Sequence, residues 1–118
     1  MTIQIIETIK PFWYTPETSV KDKSPAKFKL KPLSGVDQAY LAQFAEILEG
    51  GRVVLASDGI EQYLRRGVID WKGITDKKGA QIQFDEDRLC NLPHDISLEL
   101  INVIRERSEL GEDKAKNL

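Results

Sequence analysis

Cys90 and His94 are the residues whose chemistry is easiest to imagine, because a thiolate and an imidazole four positions apart resemble a metal-binding or nucleophilic pair. They are the chain's single cysteine and single histidine. Zinc needs further ligands, normally arranged as recognisable Cys/His pairs, and Pro93 makes a continuous helix face between the two residues unfavourable. We therefore expect no metal and no reactive thiolate, and we interpret Cys90 as a buried structural residue.

The acidic run Asp85-Glu86-Asp87 suggests a calcium site. An EF-hand loop requires alternating oxygen ligands, a central glycine and a terminal bidentate glutamate, and this spacing does not occur around the run. A solvated helix start, with Asp85 as the cap and the helix dipole favouring negative charge, is the better interpretation.

Phosphate-binding and nucleic-acid-binding patterns are equally weak. Neither Gly50-Gly51 nor Gly73 belongs to a phosphate-binding glycine motif. Arg65-Arg66 is a basic pair on a predicted helix, but a formal net charge of −2 leaves no excess positive charge to neutralise a phosphate backbone. We expect no catalytic residues, no cofactor and no nucleic-acid partner. A DNA-binding regulator remains the least favoured alternative.

The length of 118 residues predicts one domain. A lone cysteine excludes an intramolecular disulfide and favours a reducing compartment. Residues 1–10 have no basic region or cleavage site typical of a signal peptide, and the chain has no apolar run approaching the roughly 20 residues that span a bilayer. We expect a soluble intracellular protein without a membrane partner.

The N-terminal third predicts strands. Isoleucines favour a short strand within Thr2–Lys10, and the aromatic cluster Phe12-Trp13-Tyr14 follows Pro11. Lysines alternate with apolar residues over 27–33, which predicts a strand with one solvated face that pairs with the aromatic cluster as a hairpin. Its lysines would also protect an exposed sheet edge.

Helical spacing dominates the middle of the chain. A first helix, capped within Ser34–Asp37 and stopped by Gly50-Gly51, is predicted from an apolar stripe. Residues 52–56 fit either strand or helix, and a second helix is predicted from a cap at Ser57-Asp58 to Gly67. The members of the first stripe are Val36, Tyr40, Leu41, Phe44, Ile47 and Leu48.

The C-terminal part of the chain, from Trp71 onward, is predicted to contain a turn, a strand and a last helix. The sequence predicts a type I turn at Asp76–Gly79, a returning strand with Ile82 and Phe84, and a single turn capped by Asp85. A last helix begins around Pro93, and its apolar stripe is Ile96, Leu100, Val103 and Ile104. Together these elements predict an α+β fold: a mostly helical single domain over residues 1–106, with an N-terminal β-hairpin and a small turn element around Trp71. Residues 107–118 are predicted to be a mobile charged tail.

The aromatic residues are the candidate partner-binding residues. Three consecutive aromatics cannot all face one side of a strand, so at least one of Phe12, Trp13 and Tyr14 should point outward or be covered by another segment. An outward ring would be a candidate partner contact. Trp71 fits a core anchor better than a binding residue, because tryptophan burial dominates small cores.

The order of several motifs resembles the tail assembly chaperones of long-tailed bacteriophages and related prophages. The resemblance covers about residues 9–106. The motifs that carry it are Pro11-Phe12-Trp13-Tyr14-Thr15-Pro16-Glu17, residues 28–35 (FKLKPLSG), residues 67–76 (GVIDWKGITD), Ile82-Gln83-Phe84 and Leu92-Pro93.

This resemblance implies a small, non-catalytic protein of the host cytoplasm that is absent from the mature virion. Such chaperones bind the long helical tape measure protein, keep it soluble and help to recruit tail tube subunits. The resemblance supplies no binding residues. A virion structural or head–tail connector protein is the alternative, and self-association is left open.

Overall fold

The chain alternates short strands and helices in the computed structural model, which describes residue 2, residues 10–47 and residues 53–116. Most of the strand predicted at 2–10, together with Leu48 and the helix stop at Gly50-Gly51, lies outside the described residues. Two short 3₁₀ helices span Glu17–Ser19 and Glu86–Asn91. The other elements are β1 (Phe12–Tyr14), β2 (Lys27–Leu30), α1 (Gly35–Ala42), β3 (Ala45–Ile47), β4 (Val53–Leu55), α2 (Ser57–Gly67), β5 (Val68–Lys72) and α3 (His94–Lys116).

The main sheet has the order β1-β2-β5 and is antiparallel throughout. The predicted hairpin is confirmed, since Phe12, Trp13 and Tyr14 pair with Leu30, Lys29 and Phe28. One prediction about β2 is wrong. This strand lies in the centre of the sheet, so its lysines do not protect an edge. The α+β fold is confirmed, and Trp71 lies in a strand that precedes the predicted turn.

A bulge between β2 and β5 sets the facing of two core residues. Leu30 pairs with Val68 and Lys29 pairs with Asp70, so β5 has one residue more than its partner at Ile69. Strict alternation would place Val68 and Trp71 on opposite faces, because they are three positions apart. The extra residue restores the alternation beyond it, and both side chains are buried.

The core lies between the inner face of the sheet and the helices α2 and α3. The C-terminal end of α2 approaches α3 so closely that a Cβ at Gly67 would collide with the side chain of Ile104. The buried apolar residues are Phe28, Leu30, Leu33, Leu41, Tyr63, Leu64, Val68, Trp71, Leu89, Leu100, Ile101 and Ile104.

The first helix is shorter than its apolar stripe predicts. It ends at Ala42, and residues 45–47 instead pair with residues 53–55 as a second antiparallel hairpin. β-Branched residues such as Val53 and Val54 favour strands, and the pairing outweighs the helical spacing. Val36, the first member of the predicted stripe, is 80% exposed. The N-cap of α1 is Ser34, whose hydroxyl accepts from the Asp37 N–H, as predicted.

The second helix ends at Gly67 as predicted, but its N-cap is Ala56 and makes no side-chain hydrogen bond. The turn at Asp76–Gly79 is also confirmed by the Gly79 N–H···O=C Asp76 bond of 3.1 Å. The strand predicted over Ile82–Phe84 is wrong, because only Thr75 and Gln81 form a bridge here. The backbone of Ile82 makes other hydrogen bonds. Its N–H donates to the Ile74 carbonyl, and its own carbonyl accepts from the Trp71 indole N–H.

The last helix buries the predicted Leu100 and Ile104, and also Ile101. It continues to Lys116, so the expected boundary at residue 106 falls inside a helix. Two residues beyond that boundary still contact the domain. The Ser108 hydroxyl accepts from the Leu33 N–H at 2.8 Å, and the Arg107 guanidinium lies 4.5 Å from the centre of the Phe12 ring.

Candidate functional site

The candidate site is the outer sheet face, defined here by Trp13, Lys27, Lys29, Ile69, Asp70 and Lys72. Trp13, on the edge strand β1, is its aromatic group. Its side chain is 41% exposed because strand alternation turns it away from Phe12 and Tyr14. Of the two outcomes predicted for the three aromatics, an outward ring or a ring covered by another segment, the structure has the outward ring.

Two lysines hold the Trp13 ring in place. The Lys72 ammonium lies 4.6 Å from the ring centre and the Lys29 ammonium lies 5.9 Å from it. These cations come from β2, the neighbour of β1, and from β5 on the far side of β2, so the indole contacts both other strands of the sheet. Cation–π contacts of this kind contribute about 0.5–1 kcal/mol each at exposed sites. The ring is thus preoriented while remaining open to a partner.

The rest of the outer sheet face is mixed in character. Lys27 and Ile69 are exposed, and Asp70 is half-buried. The Asp70 carboxylate accepts from the backbone N–H of Trp71 at 2.8 Å, which occupies one of its oxygens. Three lysines and one aspartate leave this face positively charged, although the whole chain has a formal net charge of −2.

An open cleft of about 790 Å³ adjoins this face at the ends of β2 and β5. Lys27, Asp70 and Lys72 contribute to both the face and the cleft, and Gln81 and Gln83 form part of the opposite wall. The cleft extends the same surface with polar groups.

Phe12 and Tyr14 face the other way and join β1 to α3. Both are half-buried and pack against the core. The Tyr14 hydroxyl donates to Glu99, whose same carboxylate oxygen accepts from the Glu17 N–H at 3.0 Å. Burial and the neighbouring Glu99 carboxylate raise the pKa of the Tyr14 hydroxyl, so it remains protonated well into the alkaline range. These two aromatics position the hairpin.

Trp71 is the core anchor that the sequence favours. It is only 5% exposed, and its indole N–H donates to the Ile82 carbonyl at 2.8 Å. Phe28 and Phe84 meet its ring edge-to-face, with ring centres 6.3 and 5.1 Å away. Of the four predicted partner-binding aromatics, Trp13 is the one that the structure exposes.

Cys90 and His94 do not form a recognisable site. Cys90 is exposed, which contradicts the expectation of a buried cysteine, and its thiol lies 3.3 Å from the Asp87 carbonyl. Within residues 10–47 and 53–116, no cluster of three or more His, Cys, Asp or Glu side chains is arranged to hold a metal ion.

The acidic run and the arginine pair are engaged within the chain. Asp85 caps the 3₁₀ helix as predicted by accepting from the Asp87 N–H. The Arg65 guanidinium reaches Glu61, Glu86 and Asp87 at 3.0, 3.2 and 3.2 Å. The hydrogen bonds that the guanidinium donates to these carboxylates, that to Glu61 above all, raise the pKa of Arg65.

Arg66, the second member of the pair, contacts Asp37 at 3.3 Å and stacks 4.2 Å from the centre of the Tyr40 ring. The two arginines that suggested DNA binding therefore join α2 to its neighbours.

The alternation of lysines in the sequence is a signal for the outer sheet face that the aromatic residues alone do not give. Lysines alternating with Phe28 and Leu30 already predict a charged face, and Lys72 follows Trp71 with the opposite facing. What the sequence could not supply was the strand order, which brings Lys72 to Trp13 across β2. The contribution of Ile69 depends on the bulge.

Comparison with protein-family models, curated proteins and solved structures finds no match to this chain. Among the described residues, no helix combines the length and apolar character needed to cross a membrane.

Proposed function

We propose that this protein is a non-catalytic phage tail assembly chaperone. It binds the tape measure protein in the host cytoplasm, helps to recruit tail tube subunits and leaves before the virion is complete. The observation that carries the proposal is the exposed indole of Trp13, held on an open sheet face by Lys29 and Lys72. The motif order described above supplies the identity of the client.

The physical argument concerns the client before assembly. A long helical protein exposes apolar seams until tube subunits surround it, and such seams cause aggregation in water. A chaperone must therefore present an apolar group to its client while its own surface remains soluble in water. Trp13 satisfies both requirements, because its ring provides apolar area while the surrounding lysines keep the face hydrated.

Co-expression with the longest helical tail protein from the same gene cluster tests this function. We expect the client to be insoluble alone, and to be recovered with this protein as a soluble complex by affinity pull-down and size-exclusion chromatography with light scattering. A client whose solubility is unchanged would contradict the proposal. If the protein then formed a discrete large homo-oligomer and remained in purified particles by mass spectrometry, a connector would be the better assignment.

A further inference from the structure

The charge of the outer sheet face is opposite to that of the whole chain. Lys27, Lys29 and Lys72 carry three positive charges against the single carboxylate of Asp70, in a chain with a formal net charge of −2. Other acidic side chains lie elsewhere, and Glu86 and Asp87 of the second 3₁₀ helix pair with Arg65. A positively charged face is complementary to a negatively charged partner and steers its approach.

The partner must also offer an apolar group. Trp13 and Ile69 are both exposed on this face, and the Trp13 ring is held in place by two ammonium groups. Preorientation lowers the entropy lost on binding, and tryptophan is among the residues that contribute most to protein interfaces. The matching surface therefore has an apolar stripe bordered by carboxylates.

The size of the face suits one helix. Three strands about 4.8 Å apart separate β1 from β5 by roughly 10 Å. An α-helix with its side chains has a diameter of about 10–12 Å. A single helix laid across the sheet would contact Trp13 with its apolar stripe and both Lys29 and Lys72 with its flanks.

Single-stranded nucleic acid is the competing occupant, since lysines and an aromatic ring also bind bases and phosphates. Nucleic-acid platforms usually stack successive bases on several aromatic side chains. Trp13 is the aromatic ring that this face presents, and the Asp70 carboxylate lies beside Lys29 in the register of the sheet, where it repels phosphates. A protein helix fits these observations better.

We infer that the outer sheet face binds an acidic amphipathic helix of a partner protein, with Trp13 against its apolar stripe and Lys29 and Lys72 against its carboxylates. This inference rests on the proposed function only for the partner's identity as a segment of the tape measure protein. The surface chemistry itself is independent of that identity.

Synthetic peptides test the surface without any tail protein. Three helical peptides of about 20 residues share one apolar stripe, and their flanks are acidic, neutral or basic. A thymidine oligonucleotide is the nucleic-acid probe. Binding to the full chain is measured by titration calorimetry at two salt concentrations. We expect the acidic peptide to bind at least about tenfold more tightly than the basic one, and more weakly at high salt.

Two matched pairs of variants locate the site. The double variant Lys29→Glu/Lys72→Glu should lose at least about tenfold in affinity for the acidic peptide, whereas Lys77→Glu/Lys78→Glu in the exposed turn makes the same change in charge and should have little effect. Trp13→Ala should weaken binding, and Leu98→Ala, which truncates another exposed apolar side chain, should not. Circular dichroism checks that each variant is folded.

Several results would overturn the inference: equal binding of the acidic and basic peptides, tighter binding of the oligonucleotide, or equal effects of the two charge-reversal pairs. The function and the surface can fail separately. A soluble client complex that is unaffected by Lys29→Glu/Lys72→Glu rejects this surface as the binding site of the client and leaves the chaperone function intact. If the peptide binds at this face but the protein does not change the solubility of the client, the surface is supported and the chaperone function is rejected.

Discussion

The two tryptophans of this chain lie in the same small sheet and have opposite surroundings. Trp71 is enclosed by Phe28 and Phe84 and bonds the Ile82 carbonyl through its indole N–H. Trp13 lies on the other face, where the ammonium groups of Lys29 and Lys72 contact its ring. The residue type is identical, so the alternation of strand facing decides which one stabilises the fold and which one is available to a partner.

Trp71→Ala should have the largest effect on stability. Truncating this buried ring removes apolar contacts, leaves a cavity beside Phe28 and Phe84, and leaves the Ile82 carbonyl without its donor. Buried large-to-alanine changes of this kind cost about 3–5 kcal/mol. Urea denaturation followed by circular dichroism measures the free energy of unfolding. A loss below about 1 kcal/mol would mean that the ring is not the anchor described here.

Tyr14→Phe should have an intermediate effect, because the change keeps the ring and removes only the hydroxyl that donates to Glu99. A hydrogen bond to a charged group contributes about 1.5–3 kcal/mol. The same denaturation measurement checks this value. Val36→Ala truncates a side chain that is 80% exposed and serves as the control, with almost no expected change.

We expect the Tyr14 hydroxyl to make the free energy of unfolding depend on pH in the alkaline range. Burial and the Glu99 carboxylate raise the folded-state pKa of Tyr14 above its unfolded value of about 10. Its contribution is therefore fully present below pH 10 and is lost as the pH rises toward the folded-state pKa. The stability difference between wild type and Tyr14→Phe should shrink above pH 10. A difference that grew instead would reverse the proposed sign.

Trp13→Ala should have the smallest effect on stability of the three aromatic changes, about 1 kcal/mol, because an exposed ring with two weak cation–π contacts contributes little to folding. Its effect on client recovery in the co-expression experiment should be large. The comparison with Trp71→Ala is then complete, with one variant strongly destabilising the domain and the other leaving it stable but weaker in binding. An equal loss of stability in both variants would contradict the division between the two faces.

Local patterns predicted much of the fold. The alternation in 27–30, the helix ending at Gly67 and the turn at Asp76–Gly79 each depend on neighbouring residues, and each is confirmed. The early end of α1 depends on pairing between segments that are separate in sequence, which helical spacing cannot reveal. The strand predicted at Ile82–Phe84 is wrong for a similar reason. The Ile82 carbonyl, which a strand would use for pairing, accepts instead from the indole of Trp71.

The candidate site was predictable only in part. Outward facing of one aromatic follows from strand geometry alone, and the exposed ring is Trp13. Its lysine partners could not be assigned from sequence, because Lys72 is separated from Trp13 by 59 positions and approaches it only through the strand order. The sequence favours burial of Trp71 on physical grounds, which the structure confirms, but it contains no signal for the carbonyl that accepts from the indole.

The bulge in β5 has a consequence for how this chain tolerates changes of length. Because β5 already contains one residue beyond what β2 pairs with, loss of Ile69 would leave a regular strand in which Val68 and Trp71 still face the core. A single deletion in the regular strand β2 would instead exchange its two faces and expose Phe28 or Leu30. Loss of one residue at the bulge would therefore keep the same core and remove an apolar group from the outer sheet face.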